Sequence, residues 1–285
     1  MIQSMTGFGK ASQQLPNKKI TVEIKSLNSK GLDLNVRMPQ VYREKELALR
    51  NKVAQRLERG KVDFSIYIEV TGEETTSKVN VPVVKAYIEQ LKKVVNGDET
   101  ELLKMAVRMP DAMKTEREEM DEEEWEPIEH IINEALDNIQ NFRVAEGAAL
   151  EKEFSTRIGN ILSLMNETVS YDQERIDTVK ARLQSAIDEL KLNVDENRFE
   201  QELIYYLEKM DITEEKVRLE NHLNYFMETL AGNEANGRKL GFITQEMGRE
   251  INTMGSKSNH AQMQKLVVQM KDELEKIKEQ VLNVL

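Results

Sequence analysis

Three residues with complementary chemistry recur at one-turn intervals within residues 209–226. If a helix begins near Thr213, which could cap it, Glu215, Arg218 and His222 share one face because they are spaced by three and four residues. A carboxylate can hold a cation, a guanidinium can neutralise phosphate, and an imidazole can transfer protons near neutral pH. This set suits phosphodiester chemistry, but the same spacing is also typical of an ordinary surface helix with ion pairs.

A second segment, residues 237–258, combines glycine with basic, amide, hydroxyl and acidic side chains. Glu246 and Glu250 are one helical turn apart and could both face one hard cation. Three glycines interrupt the helical pattern, and residues 255–257 could expose backbone donors to a phosphate. The basic side chains that could contact phosphate are Arg238, Lys239, Arg249 and Lys257. The structural alternative is a simple corner between two helices.

The N-terminal segment 1–70 predicts a compact α+β domain with the order strand, strand, strand, helix, strand. Apolar and polar residues alternate around 20–24, 32–36 and 62–70. Residues 28–31 predict a hairpin-like turn between the second and third strands, and Pro39 ends the third. A helix over residues 42–57 should pack on the sheet and close at Gly60. Its predicted apolar face is Leu47, Leu49, Val53 and Leu57.

The rest of the chain has a helical composition. No proline follows Pro127, and helical periodicity covers 128–164 and 176–190, with a break expected around 192–197. Near the C-terminus, apolar residues alternate at spacings of four and three, which predicts the seam of a helix–helix or coiled-coil contact. This C-terminal seam comprises Met263, Val267, Met270, Leu274, Ile277, Val281 and Val284. A narrow seam needs a partner, which favours self-association.

These patterns predict the α+β fold class, with a mixed α/β sheet domain followed by long helices. We place the N-terminal domain and its helical extension at residues 1–154, and a helical region carrying the two chemical segments at 155–285.

Composition restricts the possible classes of site and partner. The net charge is −11, yet the segment 1–70 carries 13 Lys+Arg and 7 Asp+Glu, so a local basic surface could bind RNA. The absence of cysteine excludes disulfides, thiolate metal sites and cysteine nucleophiles, and three histidines leave little room for a multi-histidine zinc site. No apolar run is long enough to span a membrane and there is no secretory signal, which predicts a cytoplasmic protein with no membrane partner.

Short motifs are spread over both ends of the chain. The N-terminal ones are MIQSMTGFG at 1–9, positions within 25–39, RGKV at 59–62 and FRVAEG at 142–147. The C-terminal ones are Asp211-Ile212, Glu214-Glu215, Arg218-Leu219, His222-Leu223, GRKL at 237–240, Phe242, Gln245-Glu246, Arg249-Glu250, Asn252-Thr253 and Ser256-Lys257. Together they resemble the YicC/YloC endoribonuclease family of bacterial proteins. The chain departs from the family pattern at Lys25 and Lys30, where arginines are common, and at His260, where relatives often have Asp.

The resemblance implies an endoribonuclease that uses a divalent cation, acts on RNA with single-stranded character and forms a homo-oligomer, a ring-like hexamer. From the chemistry of the motif residues, we predict that His222, Glu246 and Glu250 are catalytic and that Glu215, Glu246 and Glu250 hold the metal. The predicted RNA-binding residues are Arg37, Arg218, Arg238, Lys239, Arg249 and Lys257.

Two cleavage mechanisms and two other functions stay open at this point. Metal-assisted attack by water can leave a 5′-phosphate, whereas attack by a ribose 2′-hydroxyl deprotonated by His222 leaves a 2′,3′-cyclic phosphate and a 5′-hydroxyl. A non-catalytic, oligomeric RNA-binding scaffold would use the basic N-terminal domain without turnover. A purely structural coiled-coil protein explains the C-terminal seam but neither the sheet domain nor the glycine-rich basic segment.

Overall fold

A four-stranded mixed sheet forms the N-terminal part of the protein. The computed structural model describes residues 2–71, 77–95, 97–115, 122–190, 196–232 and 237–285. The strands are β1 (Gly7–Gln14), β2 (Lys18–Leu27), β3 (Leu32–Arg37) and β4 (Gly60–Val70), in the order β1-β2-β4-β3. β2 pairs antiparallel with both β1 and β4, and β3 pairs parallel with β4. The predicted strands are confirmed.

The predicted hairpin at 28–31 is wrong, because β4 lies between β2 and β3. β4 occupies a central position, and its residues Val62 and Phe64 are fully buried. The apolar residues of β3 are only half-buried, as expected for an edge strand. Since β3 and β4 are parallel, a helical crossover must connect them.

That crossover consists of a 3-10 helix (Gln40–Lys45) followed by α1 (Glu46–Leu57). Leu49, Val53 and Leu57 are buried as predicted, but Leu47 is 72% exposed and lies outside the packed face. The helix ends at Leu57, as predicted, but Glu58, with a positive φ of 50°, follows it directly, so Gly60 does not close it. Gly60 instead begins β4 with a φ of 126°.

A single 48-residue helix, α4 (Glu122–Val169), connects the sheet to the C-terminal helices. Its first half covers the sheet, and its second half enters the helical core. A Cβ added at Gly9 would overlap the carbonyl oxygen of Ala135, and one added at Gly147 would overlap that of Ile2, so these glycines permit the close approach of two backbone segments to the helix. The boundary predicted between residues 154 and 155 lies inside α4.

A small helical unit is inserted between β4 and α4. It contains β5 (Ser77–Val79), α2 (Val81–Val94), α3 (Glu99–Ala106) and β6 (Met113–Thr115). β5 and β6 pair antiparallel, and Val84, Ala106 and Ala112 form a separate small core.

Five helices complete the chain: α5 (Asp172–Leu190), α6 (Glu196–Met210), α7 (Thr213–Ala231), α8 (Gly237–Lys257) and α9 (Ala261–Val281). The predicted break at 192–197 falls mainly outside the described residues. Every residue of the C-terminal seam is buried, and α9 packs on α4 and α8 of the same chain. The packing role of the seam is confirmed, but the seam has its partner within the chain and does not by itself require a second copy.

The α+β fold class is confirmed. No helix in the described part of the chain combines the length and apolarity needed to cross a membrane.

Candidate active site

Helix α7 begins at Thr213, as the sequence predicts, but Thr213 does not cap it. Ile212 occupies the N-cap position without a side-chain hydrogen bond. The carboxylate of Asp211 accepts hydrogen bonds from the Thr213 hydroxyl at 2.6 Å and the Thr213 amide at 2.9 Å, and these bonds lower the pKa of Asp211. The acidic residue before the helix thus performs the role predicted for threonine.

The strongest contact between the two chemical segments joins Glu215 to Lys257. Glu215 shares the buried stripe of α7 with Leu219 and Leu223 and is only 4% exposed. Its Oε1 atom lies 2.7 Å from the Nζ atom of Lys257, which also donates to the carbonyl oxygen of Asp211 at 2.9 Å. The Glu215 Oε2 atom is buried without a hydrogen-bond partner among the described residues. The structure therefore holds a paired charge where the first turn of α7 meets the last turn of α8.

The predicted convergence of Glu215, Arg218 and His222 is not observed for Arg218. The Arg218 side chain is exposed and forms an ion pair with Glu214, one turn earlier on α7. His222 is half-buried and makes no side-chain hydrogen bond within the described segments. Glu215 turns inward because it is in phase with the leucines of α7, whereas Arg218 is not.

Helix α8 is continuous, and its glycines do not interrupt it. Gly248 faces Leu274 of α9, and a Cβ added at Gly255 would lie 3.0 Å from the Cγ1 atom of Val267. The glycines therefore let α9 pack closely against α8. The idea that residues 255–257 expose backbone donors is wrong, since these residues form the last turn of the helix.

Glu246 and Glu250 project from α8 at different depths. Glu246 is half-exposed and pairs with Arg249, at a distance of 2.7 Å between Oε1 and Nη1. Glu250 is 9% exposed and has no ion-pair or hydrogen-bond partner in the described part of the chain. The described residues contain no group of three or more histidine or acidic side chains that could hold a metal. A Mg²⁺ ion bound by one or two carboxylates, water and substrate phosphate needs no such cage, and the unpaired carboxylate of Glu250 fits that type of binding.

The antiparallel α7–α8 hairpin gathers several of the predicted residues. Glu215 contacts Lys257 near one end of the hairpin, and the Nζ atom of Lys239 lies 4.7 Å from the Tyr225 ring centroid near the other. Along the hairpin, His222, Glu246 and Glu250 all fall between these two contacts. The two segments that are separate in sequence thus form one structural unit.

Two of the predicted RNA-binding residues, Arg238 and Arg37, lie outside the stretch of the hairpin between these two contacts. Arg238 is exposed at the start of α8, 5.9 Å from the Phe242 ring centroid. Arg37 is the exposed last residue of β3, in the sheet domain. The structure does not bring Arg37 together with the α7–α8 hairpin.

Comparison with known proteins identifies the family. The chain matches the family model "Endoribonuclease YicC-like, N-terminal region" over residues 2–152 and the model "Endoribonuclease YicC-like, C-terminal" over residues 168–285. The chain belongs to the YicC-like endoribonuclease family. A protein of Clostridioides difficile (strain 630) named "Probable endoribonuclease YicC" is 34% identical over 293 residues and is aligned over the whole of both chains. A protein of the same name from Haemophilus influenzae (strain Rd) is 29% identical over 288 residues, again with complete coverage of both.

Sequence reasoning missed one residue that supports the site of this YicC-like protein. Arg175, on α5, is 4% exposed and lies 2.9 Å from Asp172. Its Nη1 atom donates to the carbonyl oxygens of Met210 at 2.8 Å and Lys257 at 3.4 Å. Arg175 therefore ties α5 to the ends of α6 and α8 beside the Glu215–Lys257 pair. A lone arginine in a helical stretch gives no sequence signal of such a role.

His260, the departure from the family pattern, has a structural role in this YicC-like chain. It occupies the N-cap position of α9, where its Nδ1 atom accepts a hydrogen bond from the Met263 amide at 3.4 Å. Its ring stacks on Tyr171 with a centroid distance of 5.4 Å.

Proposed function

We propose that the protein is an endoribonuclease that cleaves RNA with single-stranded character by hydrolysis assisted by Mg²⁺ or Mn²⁺. The observation that carries the proposal is the match to both endoribonuclease regions within one chain, at full length against the two relatives. The α7–α8 hairpin supports it, because one unit presents carboxylates, an imidazole and cations.

Lys257 is the best-prepared phosphate ligand of the hairpin. An ammonium has three donors, and two of them are engaged by Glu215 and the Asp211 carbonyl. The side chain is 29% exposed, so the third donor can reach a phosphate oxygen at the surface. The buried carboxylate orients the ammonium, which favours its use against charge that develops in the transition state. The role of Glu215 as a metal ligand remains a prediction.

Glu250 and Glu246 are the proposed cation ligands. Glu250 has no partner to displace among the described residues, and Glu246 would release Arg249 on binding a cation. The released guanidinium could then contact the scissile phosphate in a bidentate manner. A bound Mg²⁺ or Mn²⁺ would supply charge neutralisation and a more acidic water.

His222 is the proposed proton donor. In hydrolysis that leaves a 5′-phosphate, water forms the new P–O bond and releases a proton to solvent, while the bond to the 3′-oxygen breaks and that oxygen takes a proton from protonated His222. The alternative is attack by a 2′-hydroxyl that His222 deprotonates. The 2′-oxygen forms the new P–O bond of a 2′,3′-cyclic phosphate, the bond to the 5′-oxygen breaks, and that oxygen takes a proton from solvent to become a 5′-hydroxyl. The chemistry of the fragment ends separates the two.

A homo-oligomer, specifically a hexamer, is also part of the proposal, together with a cytoplasmic location. The support for the assembly is the family resemblance, and the surface of α6 offers exposed apolar side chains for contact with another subunit. These are Ile204, Tyr205 and Tyr206. The mass of the protein in solution, measured by light scattering or native mass spectrometry, tests it.

The decisive experiment follows a 5′-labelled RNA hairpin with single-stranded flanks, incubated with Mn²⁺, Mg²⁺ or EDTA. Wild-type protein should cleave the flanks only with the metal, and Glu250→Gln and Glu246→Gln should lose most of that activity. Glu220→Gln is a matched control, because Glu220 is an exposed α7 carboxylate without an ion pair in the described residues. RNA that stays bound and intact in every reaction would contradict the nuclease and favour the scaffold.

A further inference from the structure

A groove of about 900 Å³ lies between the sheet domain and the start of α8. The sheet domain contributes Met5, Lys30 and Arg59 to its wall, and α8 contributes Arg238 and Gln245. The C-terminal part of α9 forms the remaining side. The groove therefore joins the basic N-terminal region to the helix that carries the candidate catalytic carboxylates.

Basic residues outnumber acidic residues in the lining of this groove. Within the described residues, Lys30, Arg59 and Arg238 form no ion pair with a carboxylate. On the opposite side, Lys278 is 2.7 Å from Glu275, and Glu279 is the second acidic residue of α9 that lines the groove. Four basic residues against two acidic ones line the groove in a protein of net charge −11, and this local excess of positive charge favours an anionic ligand.

The buried guanidinium of Arg143 fixes the backbone of the groove wall that the sheet domain contributes. The Nη2 atom of Arg143 donates to the carbonyl oxygens of Met5 at 3.2 Å and Arg59 at 3.1 Å. The Ser26 hydroxyl donates to the same Met5 oxygen at 2.8 Å. Met5 and Arg59, whose carbonyl oxygens accept these hydrogen bonds from Arg143, both line the groove, so this part of the wall is held in place by buried hydrogen bonds.

Arg59 itself is oriented for a ligand. Its Nε atom donates to the carbonyl oxygen of Ser29 at 2.8 Å, which uses one edge of the guanidinium. The two Nη groups make no hydrogen bond to other described residues and remain available as a fork for a phosphate. Fixing a guanidinium before binding reduces the entropy lost on contact.

The groove is aligned with the catalytic segment of α8. Arg238, Gln245 and Arg249 are spaced by seven and four residues, which places them along one side of the helix. At a rise of about 1.5 Å per residue, Arg249 lies about 17 Å beyond Arg238. A chain held in the groove can therefore continue along α8 toward Glu246 and Glu250.

We infer that this groove binds the phosphate backbone of the single-stranded RNA that flanks the cleavage point, with Arg59, Lys30 and Arg238 as its phosphate ligands. The inference rests on the proposed function for the identity of the ligand. It adds Lys30 and Arg59 of the sheet domain to Arg238 of the hairpin as phosphate ligands.

The test measures binding separately from cleavage. A short fluorescein-labelled single-stranded RNA is titrated with full-length protein in EDTA, at several salt concentrations, and fluorescence anisotropy gives the Kd. For Arg59→Gln/Arg238→Gln, we expect the Kd to rise about tenfold. The slope of log K against log salt should fall by about 1.4, since each single-strand phosphate contact contributes about 0.7. The Kd of Arg59→Lys should lie between the values of the wild type and the double variant, because lysine keeps the positive charge but cannot form two parallel hydrogen bonds to a phosphate.

Arg182→Gln is the matched control, since Arg182 is exposed on α5 and outside the groove. Circular dichroism and thermal melting check that each variant is folded. An unchanged Kd and salt slope in the double variant, or an equal loss in the control, overturns the inference, as does wild-type protein that does not bind the RNA. If the groove-dependent binding is observed but the RNA stays intact with Mn²⁺, the nuclease proposal fails and the groove stands.

Discussion

Lys257 and Glu215 form a 2.7 Å ion pair between the last turn of α8 and the first turn of α7, although they are 42 positions apart in sequence. The carboxylate side chain is 6% exposed and the ammonium side chain 29%. The pair therefore combines a buried charge that needs its partner with a cation that still reaches the surface. This asymmetry determines how each member should respond to substitution.

Lys257→Gln should destabilise the protein by about 3 kcal/mol, because it leaves the buried Glu215 carboxylate without its partner. Glu215→Gln should have a smaller effect, about 1 kcal/mol, since the partly exposed ammonium can be solvated. Urea unfolding of both variants and of the double variant gives the coupling energy. Lys265→Gln, an exposed α9 lysine, is the control and should change stability by less than about 0.5 kcal/mol. Equal effects of the two single substitutions would argue against this asymmetry.

Glu273 should make stability depend on pH in the acid range. Burial raises the pKa of its carboxyl, but hydrogen bonds from Lys276, Asn160 and Arg157 outweigh this effect and lower the pKa from 4.5 to about 2. A lowered folded-state pKa stabilises the protein above the unfolded pKa of 4.5, and that contribution is lost as the pH falls through about 2.

Glu273→Gln should therefore reduce the free energy of unfolding by about 2 kcal/mol at neutral pH. The difference from wild type should shrink as the pH falls below 4.5, as measured by urea unfolding across that range. Glu275→Gln is the control, because Glu275 is 64% exposed in its ion pair with Lys278. A difference that does not vary with pH would contradict the role of the Glu273 carboxylate.

Replacing two glycines of α4 by alanine should change the stability of the protein in opposite directions. A Cβ at Gly147 would overlap the Ile2 carbonyl oxygen, so Gly147→Ala should displace the N-terminal segment and lower stability by about 2 kcal/mol or more. A Cβ at Gly159 meets no atom within 4 Å, so Gly159→Ala should stabilise the helix by up to about 1 kcal/mol. Thermal unfolding of both variants measures the contrast. A loss of stability in both would show that the space at Gly147 is not the determining factor.

Arg249 should matter for cleavage but not for folding. Its side chain is 73% exposed in the ion pair with Glu246, so Arg249→Gln should change the free energy of unfolding by less than about 0.5 kcal/mol. If the guanidinium contacts the scissile phosphate, the same substitution should reduce kcat at least about tenfold, and Arg249→Lys should recover only part of the loss. Single-turnover cleavage with Mn²⁺ provides the measurement. Wild-type rates in Arg249→Gln would remove this residue from the mechanism.

Local sequence patterns were sufficient for several elements of this protein, but they did not predict β5, α2, α3 and β6. Alternation of apolar residues identified β2, β3 and β4, and the spacing of four and three in α9 identified a buried seam, because both patterns report which face of a single element is covered. The motif residues likewise pointed to the family. The start of α7 at Thr213 was also accessible from sequence, since N-terminal signals are local.

The partners of those elements were decided only by the tertiary structure. The insertion of β4 between β2 and β3, the coverage of the α9 seam by α4 and α8, and the ion pair of Glu215 with Lys257 all join distant segments. The glycines of α8 look like helix breakers in sequence, yet the close approach of α9 explains them. Periodicity specifies that a face is buried, but not by which segment, because the choice among apolar partners depends on shape and register across the whole chain.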